Sequence, residues 1–398
     1  MKIGVYYIVS SNTAGRLIDE ANYSMIKRLS ALIEKEIEIA SLEELNQYDF
    51  VFTFIGGGGT EGRFLEVLDK LPRPIFLLAT PNNNSLAASM EILSYLNQND
   101  IEGEIIHGSE EKVAKRLSDL AKVFEVKKKI NNFKIARVGK PSDWLISSDV
   151  DAKESKELNG IEIIDIEMEE FFKEIEKKEY QENEYTKLIK TKEFDFEEIE
   201  LSLCIYGALK RLCDKYQLDG LTVRCFDLLE PIKSTGCVAL AILNSEGIYA
   251  SCEGDVPSLV SMAVLGELTE KPIFQANPSV INPETNEMVL AHCTLPVSMV
   301  NEFSLMTHYE SGLGVALRGK IPIGDVTLFK CTGLLDNYFV SSAKLTENLT
   351  KNDLCRSQIK ILIDDETIEY FFTETIGNHH LICAGDYVEI VDEFFKWI

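Results

Sequence analysis

Short apolar runs alternate with amphipathic segments through the first 270 residues, and this alternation restricts the fold more than any other feature of the chain. The apolar runs 2–9, 50–55 and 74–78 are separated by amphipathic segments at 20–34 and 63–70. Strands that alternate with helices at this spacing predict a parallel sheet in an α/β layer.

A second round of the same pattern begins near residue 134. Its predicted strands are 135–139, 161–166 and 218–223. A segment with helical periodicity, 196–216, precedes the last of these strands. We therefore predict two Rossmann-like α/β domains, residues 1–132 and 133–270.

From residue 271 onward, short β-branched and aromatic runs are separated by Gly, Asn and Asp turns, which is typical of an all-β module. The predicted strands include 288–290, 326–331, 359–363 and 370–373. A short helix is predicted at 388–397. The predicted fold class is therefore α/β, with a C-terminal β-barrel domain at 271–398.

The acidic balance of the chain excludes two classes of partner. With 65 acidic against 40 basic residues, the formal net charge is -25, which repels nucleic-acid phosphates and anionic membrane lipids. No window approaches the roughly 20 apolar residues of a membrane span, and the start of the chain lacks a signal-peptide pattern. We expect a soluble, unprocessed protein of the cytoplasm that acts on a small molecule.

The nine cysteines are scattered along the chain without any CxxC pair. This pattern indicates reduced and mostly buried thiols, as in a cytosolic protein. The absence of paired cysteines also argues against a structural zinc site.

Histidine is scarce, yet four of the five histidines follow residue 290 and lie beside predicted strand ends: His292, His308, His379 and His380. Neighbouring side chains on a strand point to opposite faces, so His379 and His380 cannot both face the same way. We expect one of the two to face a cleft.

Two carboxylates, Glu253 and Asp255, follow a predicted strand at 247–250. Asp255 is a suitable helix N-cap, with Pro257 tolerated in the first turn. Glu253 stands at the carboxyl end of a strand, where ligands bind in α/β sheets. Carboxylates together with imidazoles suit Mn²⁺ or another divalent metal ion.

Several segments, in a shared order, carry a family resemblance. In the carboxyl-terminal half they read CEGD before an apolar helix, PIFQANPSVINPETN, LAHCTLP and GNHHLICAGDY. In the amino-terminal half they read IGGGGTEG, PNNNSLAASMEILSYL and VGKPSDWLISSDVD. Over essentially its whole length the chain resembles the L-fucose isomerase and L-arabinose isomerase superfamily.

The resemblance implies two α/β domains and a C-terminal β-barrel, assembled as a homotrimer or homohexamer with sites near subunit boundaries. It also implies an enzyme that interconverts an unphosphorylated, fucose- or arabinose-like aldose and its ketose. In such enzymes a divalent metal, commonly Mn²⁺, chelates two adjacent sugar oxygens, and carboxylates move a proton between neighbouring carbons through an enediol.

The same resemblance assigns metal ligands. Glu253 matches the first metal-binding and catalytic carboxylate. One histidine of the adjacent pair, His379 in preference to His380, matches the carboxyl-terminal ligand. His292 matches a histidine that lies near the metal in the arabinose branch.

By the resemblance, Asn277 occupies the position at which the fucose branch has its second catalytic carboxylate. An amide oxygen coordinates a hard cation but accepts no proton near neutral pH. Asp255, Glu310 or a water on the metal would then have to move the proton. Asn277 therefore supports an alternative function, a non-catalytic or repurposed sugar- or metal-binding relative. A third hypothesis is an epimerase or lyase whose reaction passes through the same enediolate.

Candidate substrate-binding residues carry polar groups near the predicted cleft. They are His308, Glu310, Ser311, Arg318 and Arg224. The family places sugar contacts near 307–312, and an ordinary surface loop is the competing interpretation of that segment. For Arg224, which follows a predicted strand, an ion pair with Asp227 is the alternative to a contact in the cleft.

Overall fold

A computed structural model describes residues 1–9 and 15–398, and the side chains of all of these except 15–21. By packing, the chain divides into two units, residues 1–128 with 396–398 and residues 129–395. The segments predicted as the second and third domains therefore lie together in the second unit. Among the helices described, none is both long and apolar enough to cross a lipid bilayer.

The first unit is built on a five-stranded parallel sheet, as the alternating pattern predicts. Its strands are β1 (Ile3–Ile8), β2 (Ile37–Ile39), β3 (Phe50–Ile55), β4 (Ile75–Ala79) and β5 (Gly103–Ile106), in the order β2-β1-β3-β4-β5. The helices of this part of the chain are α1 (Gly15–Leu32), α2 (Glu61–Val67), α3 (Ser85–Gln98) and α4 (Glu110–Ile130). Strand β4 is buried at every position, as expected of a parallel strand covered on both faces.

The second unit begins with a four-stranded parallel sheet. Its strands are β6 (Lys134–Val138), β7 (Glu162–Ile166), β8 (Gly220–Val223) and β9 (Tyr249–Cys252), in the order β7-β6-β8-β9. Its helices are α5 (Ala152–Asn159), α6 (Met168–Glu176), α7 (Glu184–Lys190), α8 (Phe196–Tyr216), α9 (Cys237–Ser245) and α10 (Val256–Thr269). Because the strand order reverses between β6 and β8, the carboxyl edge of this sheet opens a crevice of the kind that binds ligands.

The carboxyl-terminal part of the second unit contains a closed antiparallel barrel, which confirms the predicted β-barrel. Its strands, in barrel order, are β10 (Phe274–Asn282), β11 (Glu287–His292), β16 (Ser357–Leu362), β15 (Tyr338–Asn348), β14 (Gly324–Cys331) and β17 (His380–Ala384). A hairpin, β12 (Glu302–Met306) with β13 (Ala316–Lys320), lies outside the barrel order. The helices are α11 (Asp365–Thr373) and α12 (Val388–Trp397), the latter as predicted.

The strand predicted at 370–373 is wrong, because these residues form the last turn of α11. The side chain of Asp364 caps this helix by accepting a hydrogen bond from the backbone N–H of Thr367 at 2.7 Å. An N-cap of this kind satisfies a helix-terminal donor, and here it outweighs the strand preference of an aromatic run.

One apolar core joins the second sheet to the barrel. Val138 and Leu221 of the sheet and Phe274 and Leu328 of the barrel belong to the same buried cluster, and all four are fully buried. Helix α10 contacts β9 as well as the barrel strands β14 and β17. This packing places the carboxyl end of β9 next to one end of the barrel.

Candidate metal centre and active site

Three buried side chains converge where the carboxyl end of β9 meets the barrel. Glu253, His292 and His379 each offer one ligand atom, and the three atoms lie within 4.8 Å of one another. Glu253 directly follows β9, His292 ends β11 and His379 directly precedes β17. The site therefore combines one carboxylate from the sheet with two imidazoles from the barrel.

The barrel register explains why the two histidines meet. Strand β10 pairs with β11 on one side, where Asn277 lies opposite Ala291, and with β17 on the other, where Ala276 lies opposite His380. The ends of β11 and β17 thus flank Asn277. The ring centroids of His292 and His379 are 5.3 Å apart.

Asp255 fixes the orientation of the His379 ring. Its Oδ2 lies 2.8 Å from His379 Nδ1, while its Oδ1 caps α10 by accepting from the backbone N–H of Ser258 at 2.8 Å. The hydroxyl of Ser258 donates to Asp255 Oδ2 at 2.6 Å and accepts from Lys330 Nζ at 2.6 Å. A carboxylate that accepts a hydrogen bond from Nδ1 keeps a proton on that nitrogen. The Nε2 atom of the same ring then points away from the carboxylate.

The surroundings of His379 Nε2 indicate whether a metal ion fits between the three side chains. It is buried and has no hydrogen-bond partner among the described residues, because the nearest Glu253 oxygen is 3.6 Å away. A buried polar atom without a partner is costly. A divalent ion between His379 Nε2, the Glu253 carboxylate and His292 would supply that partner, so the donor set fits such an ion.

The backbone at Glu253 is held in an unusual conformation. Glu253 has φ +67° and Gly254 has φ +74°, and a positive φ is costly for a residue other than glycine. The backbone N–H of Ser142 donates to the Glu253 carbonyl at 2.9 Å, and Trp144 Nε1 donates to Glu253 Oε2 at 2.6 Å. A Cβ at Gly254 would lie 2.6 Å from the Lys140 carbonyl oxygen, so this turn requires glycine.

The titration behaviour of the three residues follows from their burial and proximity. Burial alone would raise the pKa of Glu253, but the neighbouring His379 ring outweighs it and lowers this pKa to about 2. Burial would lower the pKa of His379, but Asp255 and Glu253 raise it to about 9. Burial lowers the pKa of His292 to about 4. In the metal-free protein at neutral pH, Glu253 is therefore ionised, His379 is protonated and His292 is neutral.

This protonation pattern predicts a pH-dependent metal affinity. Because the pKa of His379 is about 9, a metal that binds its Nε2 below that pH must displace one proton. We expect the Kd for Mn²⁺ to rise about tenfold for each pH unit between pH 8 and pH 6, since one proton competes with one ion. Electron paramagnetic resonance of free Mn²⁺ measures this slope. A His379→Gln variant should bind more weakly and lose the slope, whereas a pH-independent Kd in the wild type would contradict the assignment.

The candidate centre opens into a pocket. The pocket is lined, among the described residues, by Cys225, Phe226, Leu229, Thr235, Cys237, Cys252, Glu253, Asn277, His292, Cys293, His308, Glu310 and Cys355. Five of the predicted site residues therefore share one pocket: Glu253, Asn277, His292, His308 and Glu310. Ser311 adjoins it, because its hydroxyl lies 3.0 Å from His308 Nδ1 and so orients that ring.

Two of the predicted catalytic residues, Asn277 and Asp255, differ in their access to the pocket. Asn277 lines the pocket, and its Oδ1 accepts a hydrogen bond from Asn378 Nδ2 at 3.0 Å. Asp255 is fully buried behind His379 and is not among the described lining residues. The contacts of Asp255 are those of a helix cap and a histidine partner.

Three other predicted site residues lie apart from the described pocket lining. His380 Nε2 lies 2.9 Å from the Tyr370 hydroxyl, and burial lowers the pKa of His380 to about 3, so this ring belongs to the packing of α11. Arg224 pairs with Asp143 at 3.0 Å and with Asp227 at 3.1 Å, which is the alternative considered for it. Arg318 Nε donates to the backbone carbonyl of Arg356 at 3.1 Å.

Sequence reasoning missed three neighbours of the site: Trp144, Lys330 and the cysteines that line the pocket. Trp144 donates to Glu253, and Lys330 lies 3.6 Å from Asp255 in the core with 1% of its side chain exposed. The lysine inside the apolar run VTLFKC could have predicted a buried charge that has a partner. The cysteines of the pocket offered no such signal, because the chain separates them widely.

The chain is similar to curated sugar-converting enzymes. It is 24% identical over 344 residues to the sulfoquinovose isomerase of Priestia aryabhattai and, to the same extent, to that of Priestia megaterium. The alignment covers 78% of this chain and 76% of either relative. No family model matches the chain.

The fold, the convergent carboxylate and imidazoles, and these similarities together define an enzyme. The chain is an isomerase of the intramolecular oxidoreductase class, as the sequence predicts.

Proposed function

We propose that this isomerase is a divalent-metal-dependent aldose–ketose isomerase that acts on an unphosphorylated sugar through an enediol. The observation that carries the proposal is the convergence of Glu253, His292 and His379 beside a pocket that Glu253 and His292 line, with His379 Nε2 lacking a hydrogen-bond partner among the described residues.

Glu253, His292 and His379 would hold the ion, with the Asn277 amide oxygen as a further oxygen donor. Mn²⁺ or a similar ion would supply Lewis-acid stabilisation of negative charge on the sugar oxygens. Glu253 is buried and ionised at neutral pH, so its negative charge would attract such an ion. His379 is held by Asp255 with its Nε2 toward the same point.

The proton transfer needs a carboxylate that is not buried and whose oxygens are not already occupied by hydrogen bonds. Asp255 is excluded because Ser258 and His379 occupy its oxygens, and Asn277 accepts no proton near neutral pH. Glu310 lines the pocket and is exposed. We assign to Glu310 the transfer of the proton between neighbouring sugar carbons, as base and then as acid.

The assignment of Glu310 predicts a specific kinetic defect. We expect Glu310→Gln to lower kcat about 100-fold, the lower end of the worth of one positioned acid–base group. Mn²⁺ affinity should stay unchanged, because Glu310 is outside the ligand set. Steady-state kinetics with a parallel Mn²⁺ titration measure both. Unchanged kcat would reassign the proton transfer.

We propose a neutral sugar as the substrate. The described lining residues contain no lysine or arginine, so this wall offers no lysine or arginine cation to pair with a sulfonate or phosphate. The relatives, in contrast, are named for sulfoquinovose, a sulfonated hexose. A panel of L-fucose, D-arabinose, L-arabinose, L-rhamnose and sulfoquinovose, each assayed with Mn²⁺, separates the two. Turnover of a neutral sugar supports the proposal, exclusive turnover of sulfoquinovose overturns the substrate class, and silence across the panel favours a non-catalytic relative.

We also propose that the protein assembles as a homotrimer or homohexamer. Ile146 is 93% exposed and Trp144 is 52% exposed, and both belong to the segment that holds Glu253. Large exposed apolar side chains in one short segment are consistent with an interaction surface. Light scattering of the wild type and of an Ile146→Asp variant tests this, with a monomeric wild type as the contrary result.

A further inference from the structure

A second cluster of ligand-type side chains lies in the same pocket. Cys237, Cys293 and His308 each present one ligand atom, and the three atoms lie within 4.8 Å of one another. All three residues are buried, with 4%, 2% and 8% of their surfaces exposed. Cys355 packs against Cys237 and Cys293 and also lines the pocket.

Four separate segments supply this cluster. Cys237 is the first residue of α9, Cys293 directly follows β11, and Cys355 lies shortly before β16. His308 follows β12, and its Nδ1 lies 3.0 Å from Ser311 Oγ, which directs Nε2 away from that hydroxyl. The prediction against a zinc site relied on spacing along the chain, and the fold brings these thiols together across large sequence separations.

The chemistry of this cluster differs from that of the first. Glu253, His292 and His379 form a nitrogen and oxygen set, which suits harder ions, whereas thiolates select thiophilic ions such as Zn²⁺ or Cd²⁺. Tetrahedral Zn²⁺ with bonds of about 2.0 to 2.3 Å requires ligand atoms about 3.3 to 3.8 Å apart. The cluster reaches that spacing with side-chain shifts of about 1 Å.

We propose that Cys237, Cys293 and His308, with Cys355 as the fourth ligand, form a binding site for a thiophilic divalent cation. Binding replaces the thiol protons, which pass to solvent, by sulfur–metal bonds. Because these residues line the pocket that contains Glu253, the bound cation fills space that a substrate needs. Inhibition by Zn²⁺ or Cd²⁺ follows, and this consequence rests on the proposed function, whereas binding itself does not.

Cobalt is a suitable probe, because Co²⁺ bound to thiolates absorbs in the near ultraviolet whereas Co²⁺ bound to nitrogen and oxygen does not. We expect metal-stripped, reduced protein to develop this band with one equivalent of thiolate-bound Co²⁺ per chain, and Zn²⁺ to abolish it. Cys237→Ser and Cys293→Ser should each weaken this binding at least about 100-fold, since even the partners of metal ligands are worth about 10- to 100-fold. Cys204→Ser, a buried cysteine of α8 outside the described pocket lining, is the matched control.

Glu253→Gln separates this site from the candidate catalytic centre, because it should leave the cobalt band unchanged. If a serine variant does not fold, alkylation of the wild type mapped by mass spectrometry gives the answer: Zn²⁺ should protect Cys237 and Cys293 but not Cys204. Absence of the band in the wild type, an unchanged band in Cys293→Ser, or equal alkylation with and without Zn²⁺ overturns the proposal. None of these readouts depends on sugar turnover, so failure of the proposed function remains distinguishable.

Discussion

Glu253→Gln is expected to lower kcat by about 10⁴-fold, because Lewis-acid stabilisation by the ion that Glu253 would hold is worth several kcal/mol, and about 1.4 kcal/mol is a factor of ten in rate. The variant loses the only charged oxygen ligand of the described centre and with it much of the attraction for the ion. Glutamine keeps the side-chain volume and an amide oxygen that accepts from Trp144 Nε1, so the fold should be retained. Steady-state kinetics and circular dichroism measure the two effects separately.

Glu302→Gln is the control for this substitution. Glu302 is an exposed glutamate of β12 that pairs with Lys320 at 2.9 Å, so the same chemical change there should leave turnover and Mn²⁺ affinity as in the wild type. If Glu253→Gln instead unfolds the protein while Glu302→Gln does not, Glu253 has a structural role. If Glu253→Gln retains full turnover, the candidate centre is not the catalytic one.

Asp255→Ala is expected to lower the free energy of unfolding by about 3 to 5 kcal/mol, the usual cost of removing one member of a buried ion pair. Lys330 Nζ lies 3.6 Å from Asp255 Oδ2, and both side chains are 1% exposed. Burial alone would raise the pKa of Asp255, but Lys330 and His379 keep it well below its usual range. Without this carboxylate, the lysine and the His379 Nδ1–H lose their buried partner. Urea denaturation of the metal-free protein measures the loss.

Two further variants separate the charge effect from the cap effect. Asp151 caps α5 by accepting from the backbone N–H of Glu154 at 2.8 Å, but it is exposed, so Asp151→Ala should cost only about 1 kcal/mol. Asp255→Ala combined with Lys330→Met should cost less than the sum of the single changes, because the buried cation is removed together with its partner. If Asp255→Ala lowers the free energy of unfolding no more than Asp151→Ala does, the buried ion pair contributes nothing to stability.

The sheets and Glu253 could be predicted from local patterns. Alternating apolar and amphipathic segments indicate parallel sheets because each pattern reflects one element and its burial. The position of Glu253 after a strand then placed it at the carboxyl edge of a sheet, where β9 does end. The wrong strand at 370–373 shows the limit of such patterns, since the cap at Asp364 decided the structure there.

The choice between His379 and His380 could not be made from the sequence alone. It depends on which ring β17 turns toward Asp255 and which toward Tyr370, and therefore on how the barrel packs against α10 and α11. The thiol cluster depends in the same way on long-range packing. Its members are far apart in the chain, and no local pattern relates them.

The metal titration of turnover tests the central claim most directly. Metal-stripped wild-type protein would be titrated with Mn²⁺ while bound Mn²⁺ and turnover of a responsive sugar are followed on the same samples, with His379→Gln alongside. We predict that turnover is absent without metal, rises in proportion to the Mn²⁺ bound by the wild type, and stays absent in the variant at the same concentrations. Full turnover in the metal-stripped protein, or Mn²⁺ binding unchanged by His379→Gln, would contradict the account.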